Sequence, residues 1–370
     1  MSISKLNTFS ECKSVAHFNI NFIQYLNEDG QLCAEAPAFC HDKILMLSLY
    51  RAIKLLHLFD LKVLNLHRAG QMGTYTGTLG QEAVGIGAAS CLTDNDVFVP
   101  YYRSAPDLYW RGVKLHEILM YWGGDERGSD FADPRLINDF PIPIVIASQL
   151  LHAAGVASAI KLRQQKNRAV LTLVGDGGTS EGDFYEALNV AGAWQLPLVI
   201  IINNNRWALS EPNTRQTACQ TLAQKAIAGG IEGVQVDGND VIAMRAVTEA
   251  ALAKARAGGG ATLIEALTYR LCAHTTIDDA TRYVASEELD QAWQREPLKR
   301  LKTWLITNEM LDAAQDANLE IECRAEVERE VEIFLNMPIQ APTAIFDFLY
   351  AELPERLLSQ RDDVIKHRGS

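Results

Sequence analysis

No stretch of this chain approaches the roughly 18 uninterrupted apolar residues that a bilayer-spanning helix needs. No CxxC pair occurs; seven cysteines lie scattered along 370 residues. An odd, unpatterned set of that kind reads as reduced thiols rather than a disulfide framework or a zinc site. Positive charge is also scarce. Lys and Arg total 34 against 46 Asp and Glu, a net charge of −12, which argues against a nucleic-acid or anionic-membrane surface. The first 40 residues hold no arginine and four acidic residues, unlike a transit peptide. A cytoplasmic location is the expectation. Repeats and low-complexity tracts are missing too, which excludes solenoid and linker-rich architectures.

What is present is apolar patterning; 48% of residues are hydrophobic. Residues 1–42 read as an irregular N-terminal arm. Helical spacing begins near Asp42, with Leu45, Leu49, Ile53 and Leu56 three or four apart. GQMGTYTGTLGQEA (70–83) interrupts it, and a short strand, VFVPYY (97–102), follows. From 146 onward helices and strands alternate. Helices are expected over 146–165, 180–194, TLAQKAIAGG and 240–257. Strands are expected over 169–175, 196–203, 233–238 and 261–269. Continuous apolar strands separated by helices predict a mostly parallel sheet covered on both faces, hence an α/β fold. Beyond about 285 the pattern is helical. The expected division is an arm (1–42), an α/β domain (43–285) and a helical extension packed on it (286–370).

Within this series stands GDGGTSEGDFYEALNVAGAWQLPLVIIINNN (175–205). Asp176 falls at a strand end, inside a glycine turn that leads into a helix. Ligands of open α/β sheets sit at such ends. Gly177 and Gly178 let backbone approach an anion, and the helix N-terminus favours negative charge. Asn203, Asn204 and Asn205 end the next strand. If the two strands are neighbours, a carboxylate and an amide share one crevice. One carboxylate, amide and carbonyl oxygens and phosphate oxygens form the all-oxygen shell that Mg²⁺ prefers. The alternatives are weaker. A lone GDG turn is more often structural, and asparagines after a strand can simply form a turn. GxGxxG fails at Ser180, which disfavours a nicotinamide dehydrogenase, and GK[ST] is absent.

GDGGTSEGDFYEALNVAG, NNRWALS, GVQVDGND and YRLCAHTTIDDATRY, in this order, resemble the alpha subunit of the E1 component of 2-oxo acid dehydrogenase complexes. The similarity runs from about 45 to 350. It implies a thiamine diphosphate-binding fold with Mg²⁺ held by Asp176, Asn205 and the Trp207 carbonyl, where relatives carry Tyr or Phe. It implies Gly177 and Gly178 at the diphosphate, and Tyr102 with Arg103 gripping it. His274 would lie beside the diphosphate and the substrate channel. Ile144 and Ile146 match positions that meet the aminopyrimidine ring, although PIPIVIAS lacks the usual glycines. The loop 273–283 is expected to order around cofactor. Thr275 stands where some relatives carry a regulatory serine, so kinase control does not carry over.

The family's N1′ glutamate comes from a separate beta subunit. Glu82 in GQEA reads instead as helix-start packing. The resemblance therefore implies an α2β2 heterotetramer that decarboxylates a 2-oxo acid and passes the acyl group to a lipoyl arm of E2. The segments look most like pyruvate-type subunits. Branched-chain and acetoin types remain alternatives, as does a non-catalytic assembly subunit, against which the intact Asp176, Asn205, Arg103 and His274 set argues. Tyr75, Thr76 and Trp110 are candidates for restricting the pocket.

Overall fold

The computed structural model describes residues 14–347 and 349–367. In chain order the elements are β1 (Asn21–Ile23), α1 (Lys43–Arg68), α2 (Glu82–Ala89), β2 (Val97–Val99), α3 (Ala105–Arg111), α4 (Leu115–Trp122), α5 (Ser148–Leu162), β3 (Val170–Gly175), α6 (Gly182–Ala193) and β4 (Leu198–Asn204). Then come β5 (Trp207–Ala208), β6 (Glu211–Pro212), α7 (Asn213–Gln216), α8 (Lys225–Gly229), β7 (Glu232–Asp237), α9 (Val241–Arg256) and β8 (Thr262–Leu267). Helices α10 (Ser286–Gln294), α11 (Pro297–Thr307), α12 (Ala313–Leu335), α13 (Ala344–Asp347) and α14 (Glu355–His367) follow.

Six strands form one parallel sheet in the order β1-β7-β8-β4-β3-β2. Alternation of side chains along each strand divides the core in two. Leu171, Leu173, Val199, Ile201 and Ile264 face the cluster built with α1, α2 and α9. Val170, Val174, Leu198, Ile200, Ile202 and Leu263 face the cluster built with α5, α6 and α8. Both faces are therefore apolar, which is why these strands read as unbroken hydrophobic runs.

Helix α1 starts where its cap dictates. Asp42 accepts from the amides of Ile44 and Leu45 at 3.0 and 3.1 Å, filling two of the orphan donors of a helix N-terminus. Leu301, Trp304, Leu305, Cys323, Val327 and Val331 of α11 and α12 join the same cluster as α1. The C-terminal helices thus continue the main core, whereas α14 buries no side chain.

Two expectations need correction. The helix read over TLAQKAIAGG contracts to Lys225–Gly229, because at its start the Ala223 amide bonds Glu265 and the Thr221 amide bonds Gln224, at 2.9 and 3.1 Å, and at its end Gly230 takes φ +66°. The arm is not wholly irregular: Asn21–Ile23 add β1 to the edge of β7. Two of its three side chains are exposed, so it shows no burial period, and main-chain pairing supplies the strand.

Asp240 fastens that arm. Fully buried, it caps α9 through Ile242 and Ala243 at 3.0 and 3.1 Å and accepts from the amides of Tyr25 and Leu26 at 2.7 and 2.6 Å. Asp240→Ala removes a cap and orphans two further amides. We expect a loss of about 2–4 kcal/mol in denaturant unfolding, with new protease cleavage between residues 20 and 35. An unchanged midpoint would refute this role.

Candidate active site

Strands β3 and β4 are neighbours with Gly175 opposite Asn203, so the two chain exits lie side by side. Asp176 leaves β3 into the 3₁₀ turn Gly177–Ser180 and then α6. It is 3% exposed. Among the described residues no cation comes within salt-bridge distance; its only side-chain partner is Asn213 Nδ2 at 3.5 Å. Burial pushes its carboxyl up to about 6, against backbone and Asn213 hydrogen bonds that pull it down. Neither glycine tolerates a side chain. A Cβ on Gly177 would stand 2.5 Å from Ala208 Cβ, and one on Gly178 would stand 2.5 Å from Val174 Cγ2 and 3.3 Å from Ile146 Cγ2.

The three asparagines divide their work. Asn203 donates to Tyr101 Oη at 2.9 Å and Gln81 Oε1 at 3.1 Å and accepts from Thr268 at 2.9 Å. Asn204 donates to Glu265 at 2.7 Å and accepts from Arg206 N and Asn213 Nδ2, both at 3.2 Å. Asn205 donates to Gln81 Oε1 at 2.9 Å, and its Oδ1 takes one bond, from Trp207 N at 3.1 Å. An amide oxygen has two acceptor positions, so Asn205 keeps one free. The loop beyond is held in an uncommon conformation. Arg206 and Leu209 take φ of 73° and 55°, and Ala147, preceding α5, takes 66°. Such non-glycine left-handed residues cluster at functional sites.

Beside this turn sits a cation cluster. Arg103 and Arg270 are each 3% exposed. Arg103 Nη2 lies 3.3 Å from His274 Nδ1 and 3.2 Å from its carbonyl, and Nη1 donates to the Gly77 carbonyl. Arg270 Nη1 lies 3.2 Å from the same Nδ1 and 3.4 Å from the Trp207 carbonyl, while Nη2 reaches Leu209 O at 2.9 Å and Tyr283 Oη at 2.8 Å. Among the described residues neither guanidinium has a carboxylate within 4.0 Å. Burial, with the two arginines, drives His274 down to about 3. The ring is therefore neutral at physiological pH. With two obligate donors on Nδ1, its proton belongs on Nε2. Tyr102 joins the group: its ring lies 6.2 Å from His274, and its hydroxyl is 3.9 Å from where a Gly175 Cβ would be.

Tyr102, Arg103 and His274 form one group, the turn Asp176–Gly178 with Ile146 nearby a second, and Asn205 with Trp207 a third; Arg270 links the first to the third, and Asn213 links the second to Asn204 next to the third. Ile144 joins none of them: 57% exposed, it shows no contact to the turn. Trp110 lies elsewhere, in a cleft of about 450 Å³ with Arg51, Tyr109 and Glu326. Tyr75 and Thr76 are buried and committed, to Asp60 at 2.6 Å and to the Tyr102 carbonyl at 3.1 Å. Glu82 is fully buried at the start of α2, with Oε2 on the Gly80 amide at 2.8 Å and Oε1 3.3 Å from His57. Sequence reasoning missed Arg270 and Gln81. Arg270 stands in the same motif as His274, and an arginine four residues before a site histidine was the available signal. Gln81 offered none, since its partners lie more than 120 positions away.

The model of the family described as Dehydrogenase E1 component matches residues 50–343. This chain belongs to the dehydrogenase E1 component family. It is 39% identical over 346 residues to the pyruvate dehydrogenase E1 component subunit alpha of Acholeplasma laidlawii, covering 92% of this chain and 99% of that one. It is 36% identical over 342 residues to the like-named protein of Staphylococcus aureus strain Mu50, covering 91% of each. The same figures hold for that of Staphylococcus epidermidis.

Membership of the E1 family implies thiamine diphosphate, and the residues fit it. Two buried guanidiniums without a carboxylate call for an anion, and the glycine turn leaves backbone room for one. Among the described residues no cluster of three or more His, Cys, Asp or Glu could hold a metal. A cation here would take one carboxylate and otherwise neutral or ligand oxygens.

The raised Asp176 pKa has a stability consequence with a definite sign. Its folded value lies above the unfolded 3.8, so ionisation is disfavoured in the fold. The group's contribution falls as pH rises from about 4 through about 6, and the penalty is complete above that. Without added metal or cofactor, Asp176→Asn should stabilise the protein at pH 8 by about 1–3 kcal/mol and by almost nothing at pH 3, below the unfolded value. Denaturant unfolding at both pH values checks this; equal effects at both would contradict it.

Proposed function

We propose that this chain is the alpha subunit of a pyruvate dehydrogenase E1 enzyme. With a beta subunit it carries out thiamine diphosphate-dependent oxidative decarboxylation and passes the acetyl group to the lipoyl group of E2. The observation that carries the reading is electrostatic. A buried carboxylate without a cation lies beside two buried guanidiniums without an anion, at adjacent strand ends. Charges this close that do not pair with one another suit a metal–diphosphate, with the cation on Asp176 and the anion at the arginines. The names of the relatives and their coverage support pyruvate as substrate. No helix among the described residues is long and apolar enough to cross a membrane. We place the enzyme in the cytoplasm, as expected for bacterial-type relatives.

When bound, thiamine diphosphate supplies the nucleophilic carbon and the electron sink that 2-oxo acid decarboxylation needs. The chain's own residues bind and orient. Asp176, Asn205 Oδ1 and the Trp207 carbonyl would hold Mg²⁺. The amides of Gly177 and Gly178 would donate to phosphate oxygens at the head of α6. Arg103 brings a planar, permanently charged fork. His274, neutral and protonated at Nε2, offers a hydrogen-bond donor that an imidazolium's charge would not burden. Preorganisation of these groups is the contribution to rate. The base chemistry at N1′ belongs to the beta subunit, since Glu82 is already engaged.

Purified alone, the chain should show no decarboxylation of pyruvate with thiamine diphosphate and Mg²⁺, and the α2β2 assembly should turn over. Robust activity of the single chain would overturn the two-subunit reading. In the assembly, His274→Ala should lower acyl transfer to the lipoyl group at least tenfold while changing cofactor affinity less, because Arg103 and the glycine turn remain.

No residue from 273 to 283 is buried, so the loop opens easily. Its polar ties outside itself join Thr276 to Tyr75 and Gly73, His274 to Arg103 and Arg270, and Tyr283 to Arg270; within it, His274 N reaches Asp278 at 2.8 Å and Tyr283 bonds Asp278. Limited proteolysis should cut the loop without cofactor and spare it with thiamine diphosphate and Mg²⁺. Equal cleavage in both states would count against an ordering role.

A further inference from the structure

We infer that Gln81 is a positioning residue: it fixes the amide of Asn205 so that Oδ1, rather than Nδ2, is presented to the metal. The inference rests on the cofactor-site reading above. It follows from one unambiguous donor. The backbone N–H of Trp207 can only donate, and it lies 3.1 Å from Asn205 Oδ1. Asn205 Nδ2 must therefore donate elsewhere, and Gln81 Oε1 receives it at 2.9 Å. The same oxygen receives Asn203 Nδ2 at 3.1 Å. Two NH₂ groups facing one end of the Gln81 amide make that end the oxygen. Turned over, Gln81 would set an NH₂ against two others. An amide at 205 with the opposite orientation would present NH₂ to a cation.

Gln81 is built to hold this orientation. It is 2% exposed. Its backbone N–H donates to Thr78 O at 2.8 Å, and its backbone carbonyl accepts from Val84 N at 3.1 Å as α2 begins. Gly80 before it takes φ +82°, and a Cβ there would meet the Tyr269 carbonyl at 2.4 Å. The local chain therefore has one path. The arrangement leaves Gln81 Nε2 buried with no partner among the described residues. Such an orphan donor is unfavourable. A residue serving only to fill space would be apolar here and would avoid it. What glutamine supplies, and leucine or methionine of similar length does not, is the shared acceptor.

The test uses the α2β2 assembly, with Mn²⁺ as an EPR-visible probe of an oxygen-ligand site and thiamine diphosphate in fixed excess. Gln81→Met keeps length and removes the acceptor. It should weaken Mn²⁺ binding by about 10- to 100-fold, the usual effect of losing a residue that orients a metal ligand, and should alter the Mn²⁺ line shape. Gln81→Glu keeps an acceptor for both asparagine amides and should stay within about threefold of wild type. Tyr101→Phe disturbs the same network at Asn203 alone and should also stay within threefold. If Gln81→Met does not assemble, Gln81→Leu takes its place.

Wild-type affinity and line shape in Gln81→Met would overturn the positioning role. Equal weakening in Gln81→Met, Gln81→Glu and Tyr101→Phe would also overturn it, since the cause would then be general disruption of the network. Failure of the wild-type assembly to bind Mn²⁺ with thiamine diphosphate would instead remove the site reading itself, and the role of Gln81 with it.

Discussion

The parallel register between β3 and β4 is the constraint on which the site depends. Gly175 lies opposite Asn203, so two chains leaving the sheet in the same direction release their next residues together. Slipping the pair by one residue would exchange the two core faces, sending Ile200 and Ile202 into the cluster that holds Leu171 and Leu173. The hydrophobic core thus sets the register, and the register sets the separation of Asp176 from the asparagines. Neither strand end makes the site alone. The glycines act at the same place: a side chain on Gly177 or Gly178 would strike Ala208 or Val174, so the turn closes only with backbone.

Around that frame the charges are arranged against the stability of the isolated fold. Asp176 is desolvated without a cation. Arg103 and Arg270 are buried around a neutral histidine, and burial lowers the Arg270 pKa. Elsewhere several buried charges pair: Arg111 with Asp139 at 2.8 Å, Arg256 with Asp96 at 2.5 Å, Lys54 with Asp316 at 2.5 Å, Arg300 with Asp237 at 2.6 Å. Unpaired carboxylates occur elsewhere too: Asp107, 1% exposed and without a cation in reach among the described residues, is pushed up to about 8 by burial. What sets this crevice apart is an unpaired carboxylate beside two buried guanidiniums that also lack a charged partner, whereas the buried Arg111 and Arg300 are paired.

Much of this was legible in the sequence, for identifiable reasons. Strands buried on both faces leave unbroken Val, Ile and Leu runs, so β3, β4 and β8 could be placed within a few residues. The GDG turn and the terminal asparagines are local signals at a fixed place relative to those strands. β1 was not legible, because three residues, two of them exposed, joined to an edge by backbone leave no side-chain pattern. Gln81 was not legible because its partners, Asn203 and Asn205, lie more than 120 positions away; Arg270 had one local signal in His274, four residues on, but its other partners, Trp207 and Leu209, lie more than 60 positions back. Trp110 was misplaced because bulk near Arg103 in sequence is not bulk near Arg103 in space. Helix α3 turns that side chain toward α1 and α12.

That misplacement bears on substrate choice. Of the three side chains with enough bulk to narrow a pocket, Tyr75 is locked to Asp60 and Thr76 to the Tyr102 carbonyl, while Trp110 lines a separate cleft. Tyr75 nevertheless lines a cavity of about 650 Å³ with Gly77, Leu79, Arg270 and Thr275. Discrimination between substrates differing by a few methylenes needs apolar contact with the difference itself, and of the three only Tyr75 is placed near the cation cluster with a ring to offer it. The groups this chain does bring together recognise charge, oxygen ligands and hydrogen-bond geometry, which are common to every substrate using the same cofactor. Selectivity for one 2-oxo acid is thus not set by the charged and amide groups, whose arrangement sets how the cofactor is held.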